Sequence, residues 1–140
     1  MSHATRWFTL GIAILVVGCR DQSPRPVPVT GVVTFESGPC PAPGNIIFAP
    51  KESAGGGGAK PQPGEASFGV DGAFTARTIA IDGPGLFPGT YRVHLECWAE
   101  GPTESSPGRS HLPANFQPPD IVVPANRNEP VMVFIQVPAK

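Results

Sequence analysis

Apolar and polar residues alternate most cleanly between Pro88 and Trp98. Tyr91, Val93, Leu95 and Cys97 fall on one face there, and Arg92, His94 and Glu96 on the other. Period two marks a half-buried strand, because successive side chains leave a sheet in opposite directions. The final apolar run repeats the pattern, with Val131, Val133, Ile135 and Val137 facing in and Met132, Phe134 and Gln136 facing out. Val27 to Phe35 puts Val27, Val29, Val33 and Phe35 on one side and Thr30 and Thr34 on the other, and Pro28 marks an edge start. Asn45 to Ala49 is a short strand closed by Pro50. With the stiff connection Ser37 to Gly44 it makes a β-arch or a hairpin with the first strand. Glu65 to Val70 and Ala73 to Thr78 flank Asp71-Gly72, a pair that supplies the positive φ angles of a two-residue hairpin turn. Ile121 to Val123 is a short edge segment. The pattern predicts about seven strands, the rest of the chain packing against the Tyr91 face or reaching it.

Composition sharpens this picture. Of 140 residues, 19 are Pro and 17 are Gly, which approaches the level of a disordered chain. Against that stand an apolar fraction of 40% and a charged fraction of only 15%. The prolines and glycines also fall between the alternating runs, as turn punctuation does. They leave no uninterrupted helical stretch after residue 19, so the expected fold class is all-β: a single domain over 27–140. Lys51 to Gly64, with Gly55 to Gly58, reads as a flexible loop. No Gly-Lys-Ser/Thr follows those glycines, so they are not a phosphate cradle. Ten basic and eleven acidic side chains are scattered without a cluster, which excludes nucleic acid as a partner.

The first 18 residues read as an address. Arg6 precedes an apolar run of eleven residues, Trp7 to Val17, too short to span a bilayer comfortably. The run ends in Leu15-Val16-Val17-Gly18-Cys19, which resembles a bacterial lipobox. The resemblance implies cleavage before Cys19, acylation of the Cys19 thiol and anchoring of the protein to the inner or outer membrane of the cell envelope. An uncleaved anchor, or an ordinary secretion signal with an incidental cysteine, is the alternative. Residues 19–26, with Pro24 and Pro26, form an extended tether that holds the domain off the lipid.

Five pieces in order complete the reading. They are Val29-x-Gly31-x-Val33-Thr34, Ile46-x-Phe48-x-Pro50, Asp71-Gly72-x-Phe74, Pro88-Gly89-x-Tyr91-x-Val93 and a closing alternating strand. Together they resemble the short lipoproteins of planctomycete-type bacteria that carry a transthyretin-like or carboxypeptidase-regulatory-like domain. The resemblance covers nearly all of the chain after the leader. It implies a Greek-key β-sandwich of about seven strands and no catalytic chemistry. Hydroxyisourate hydrolases share the transthyretin-like fold but carry active-site histidines and a Tyr-Arg-Gly-Ser tail. This chain ends Gln136-Val137-Pro138-Ala139-Lys140, which argues against that enzyme.

Candidate chemistry is sparse. With Cys19 acylated, Cys40 and Cys97 remain as a pair that an oxidising compartment can join. The other reading is one buried and one exposed free thiol. His94 and Glu96 share a strand face, but a metal site needs a third ligand, and His111 and Asp120 lie in loops of unknown course. His94 is therefore expected to be a surface histidine, and neither metal nor cofactor is expected. Ser105-Ser106 and Ser110-His111 lack an orienting acid, and Glu96, Glu100 and Glu104 have no carboxylate partner whose separation can be read. No catalytic residue is assigned. Trp98, Met132 and Phe134 are apolar on faces that alternation turns outward. Loops or the tether are expected to cover them, the alternative being an exposed patch that docks an envelope protein or polysaccharide. The expected state is a monomer with a structural or binding role.

Overall fold

A computed structural model describes residues 25–52, 61–80, 83–125 and 129–140. The leader, Cys19, most of the tether, the glycine run at 55–58 and residues 126–128 lie outside the described residues. The described chain is all-β, with ten strands: β1 (Val29–Phe35), β2 (Gly44–Glu52), β3 (Gly64–Phe68), β4 (Ala73–Thr75), β5 (Arg77–Thr78), β6 (Gly89–Glu96), β7 (Trp98–Glu100), β8 (Arg109–Ser110), β9 (Ile121–Val123) and β10 (Val131–Val137). They form a three-stranded sheet in the order β10-β1-β4, a five-stranded sheet in the order β5-β3-β2-β6-β9, and a small β7-β8 ribbon.

The two larger sheets bury one shared core. The three-stranded sheet contributes Val29, Val33, Phe74 and the odd-numbered residues of β10. The five-stranded sheet contributes Ile46, Phe48, Phe68, Tyr91, Val93 and Leu95. Aromatic contacts cross between the sheets, Phe48 to Phe74 at 6.3 Å and Phe35 to Phe68 at 6.1 Å between ring centroids. The alternation of β6 and β10 is realised residue by residue: every second side chain from Tyr91 to Cys97 and from Val131 to Val137 is buried.

Four sequence expectations are corrected. First, Asp71-Gly72 does not close a hairpin, because β3 and β4 belong to different sheets. In a two-residue hairpin Phe68 and Phe74 would point to opposite faces. Both enter the same core, at 2% and 5% exposure, which rules out the two-residue turn, and their placement in separate sheets makes the connection an arch. Gly72 makes the bend: its φ is +71°, its carbonyl accepts from the Val33 amide at 2.9 Å, and a Cβ there would run into the Val33 carbonyl. Second, the run Ala73 to Thr78 is broken at fully buried Ala76, whose amide donates to the Val29 carbonyl and whose carbonyl accepts from Gly85, both at 2.8 Å. The chain changes sheets there, β4 pairing with β1 and β5 with β3.

Third, β1 is the central strand of its sheet rather than an edge, with β10 parallel on one side and β4 antiparallel on the other. Pro28 precedes the strand, where its missing N–H costs no ladder bond. Fourth, β2 runs past Pro50 to Glu52 with an irregularity between them. Its pairing with β3 ends at Phe48, so that beyond this point β2 has a free side on which a proline is tolerated. The first two strands lie in different sheets, which makes their connection an arch.

Candidate functional site

Tyr91 fixes the start of β6. Its side chain is fully buried and its hydroxyl donates to the Phe87 carbonyl at 2.8 Å, tying the strand to the turn that precedes it. This is the arrangement of a tyrosine corner. Burial pushes the phenol up to about 12, partly opposed by a backbone hydrogen bond from Gln62. Thr78 is the other buried polar side chain among the described residues, and its hydroxyl donates to the Gly85 carbonyl at 2.9 Å. Among the described residues, no buried side-chain nitrogen or oxygen lacks a partner, and none of the Asp, Glu, His, Lys and Arg residues whose burial is described is buried.

The far end of β6 is cross-linked. Cys40, in the arch between β1 and β2, forms a disulfide with Cys97, just past β6, with Cα atoms 5.9 Å apart; both residues are almost wholly buried. His111 closes over this corner. Its amide donates to the Cys97 carbonyl at 2.8 Å, its Nε2 faces the Gly38 carbonyl at 3.2 Å, and its ring packs on Phe35 with centroids 5.6 Å apart. A carbonyl only accepts, so Nε2 bears the hydrogen. The β7-β8 ribbon, which no sequence signal marked, holds the 101–108 loop beside this corner.

The remaining candidates are not brought together. His94 is exposed on the outer face of β6, beside Ile47 of β2, and Glu96 is beside Asn45. Asp120 pairs with Lys51 at 2.6 Å, and His111 is engaged at the disulfide corner. Among the described residues, no three His, Cys, Asp or Glu side chains are placed to hold a metal. The serines serve local turns: Ser106 Oγ accepts from the Gly108 amide at 3.3 Å and Ser110 Oγ from the Leu112 amide at 3.1 Å.

The apolar outward residues are where expectation and structure part. Met132 is 56% exposed and Phe134 is 73% exposed, so no described loop covers them. Trp98 is half-buried on the β7-β8 ribbon, in a different sheet from Met132 and Phe134 on β10, so the three do not share one sheet face. A shallow, mostly apolar groove lies elsewhere, between Leu112, Pro113 and Ala114 on one side and the terminal Ala139 and Lys140 on the other. Comparison with protein-family models, with curated proteins and with solved structures finds no match for this chain.

Proposed function

We propose that this chain is a lipid-anchored protein of the cell envelope, attached through Cys19, whose β-sandwich has a structural or binding role without catalysis. The observation that carries the reading is the pairing of Cys40 with Cys97. The sequence has three cysteines, so the bridge leaves Cys19 as the remaining one, at the position where the lipobox-like run ends. A buried disulfide also suits an oxidising compartment outside the cytoplasm. The buried polar side chains among the described residues, Tyr91 and Thr78, are spent on a corner and a turn, which supports a scaffold over a reaction centre.

The finer fold belongs to the same proposal. Taking β4 and β5 as one strand that changes sheets, and setting the β7-β8 ribbon aside, reduces the ten strands to seven. That number supports a transthyretin-like Greek-key sandwich. A second reading, an accessory module that binds peptide or polysaccharide through Trp98, Met132 and Phe134, draws on the exposure of the two β10 residues. The anchor is tested by growing a bacterial host on a clickable palmitate analogue. The wild-type chain is expected to take up label and sediment with membranes, and Cys19→Ala to do neither; equal labelling of both overturns the proposal. Retention on envelope polysaccharide that disappears in Trp98→Ala and Phe134→Ala would favour the binding module.

A further inference from the structure

β10 is a sheet edge without the features that usually protect one. Natural edges are blunted by short strands, lysines, prolines or bulges. Among the described residues the other edge strands, β4, β5 and β9, are three residues long or less, and no strand lies beyond β10. β10 runs for seven residues, VMVFIQV, with no charge and no proline.

Its free backbone groups can be named. The Val131 amide donates to the Pro28 carbonyl and the Val137 carbonyl accepts from the Glu36 amide, so the odd-numbered residues turn toward β1. Met132, Phe134 and Gln136 therefore turn their N–H and C=O groups outward. The same residues send their side chains to the outer face, where Phe134 lies beside Val32 of β1, and Val32 beside Ala73 of β4.

We propose that this edge pairs antiparallel with β10 of a second copy, about a two-fold axis at Phe134, joining two three-stranded sheets into one. This replaces the monomer expected from the sequence. In that register Phe134 meets Phe134 of the second copy and Met132 meets Gln136, and every outward N–H and C=O of Met132, Phe134 and Gln136 finds a partner. Pro130 then faces Pro138 of the second copy, so the ladder stops where neither chain has an N–H to offer. Sliding by one such pair leaves a Met132 or Gln136 carbonyl opposite a proline. A two-fold axis sets like residues near each other, and the uncharged strand meets no like-charge penalty.

The test uses the purified full-length chain in detergent. Hydrogen-bonded antiparallel neighbours have Cα atoms about 5.5 Å apart, inside the range of about 4.4–6.8 Å that a disulfide bridges. Phe134→Cys is expected to oxidise to a covalent homodimer that reductant releases. Val122→Cys, 65% exposed on the short edge β9, is expected to stay monomeric. Phe134→Lys sets two ammonium groups against each other and is expected to abolish the dimer that the wild type shows in sedimentation, while matching the wild-type urea midpoint at dilutions where the wild type is itself monomeric. If Phe134→Cys cross-links no faster than Val122→Cys, or only to a species of another mass, or if the wild type sediments as a monomer at tens of micromolar, the proposal is overturned.

Discussion

Raising the pH should destabilise this protein through Tyr91. The phenol is fully buried, and its folded-state value is pushed up to about 12 from an ordinary 10. Below about pH 10 the phenol is protonated in both states and its contribution is complete. Above that the unfolded chain loses the proton first, so the folded state binds more protons and stability falls as pH rises. The loss is about 2 kcal/mol by pH 12 and approaches about 3 kcal/mol beyond it, since each pKa unit is worth about 1.4 kcal/mol. Tyr91→Phe removes the titration together with the bond to the Phe87 carbonyl, which costs about 1–2 kcal/mol at neutral pH. The wild type should therefore be the more stable protein at neutral pH, with its advantage gone by about pH 12. Lysine titration is common to both proteins and cancels in the difference. Urea midpoints of the two proteins across this range check the slope. Tyr91 is the one tyrosine in the chain, so near-ultraviolet absorbance reads its ionisation directly. A native titration near the ordinary tyrosine value, or a wild-type advantage independent of pH, would refute the reasoning.

Other consequences follow from the same contacts. The disulfide closes a sequence separation of 57 residues, worth about 4 kcal/mol in the chain-entropy model, so reductant or Cys97→Ser should lower the urea midpoint sharply; an unchanged midpoint contradicts a bridge. Gly72→Ala forces a side chain into a left-handed conformation and against the Val33 carbonyl, and should cost about 1–3 kcal/mol or more in thermal unfolding. Ala substitution of Asp71, which accepts from the Ala73 amide, should cost less. Arg77→Ala removes an exposed ion pair with Glu65 and should shift stability by less than about 1 kcal/mol, and less still in high salt.

Strands with a clear two-residue period were legible in the sequence. The buried sets of β6 and β10 follow from alternation alone, since a register slip of one residue would expose the whole set. The arch at Asp71-Gly72 was legible only in part: Phe68 and Phe74 stand in opposite phase across a two-residue turn, which speaks against that turn, but phase alone does not separate an arch from a hairpin with a longer loop. The parallel pairing of β1 with β10 was not, because nothing local relates Val29 to Val131. Sequence named Cys40 and Cys97, but the 5.9 Å between their Cα atoms depends on how the arch and the end of β6 meet. His111 lay hidden because its role is to brace Gly38, Cys97 and Phe35, three segments distant in sequence. The exposure of Met132 and Phe134 depends on what lies over the outer face, which alternation does not specify.

The anchor at Cys19 is tested most directly by the intact mass of the protein extracted from a bacterial membrane, measured beside Cys19→Ala and with and without reductant. The account predicts a chain beginning at Cys19 that carries added acyl mass and lacks two hydrogens until it is reduced. A chain that retains its leader, or one that begins elsewhere without acyl mass, would contradict it.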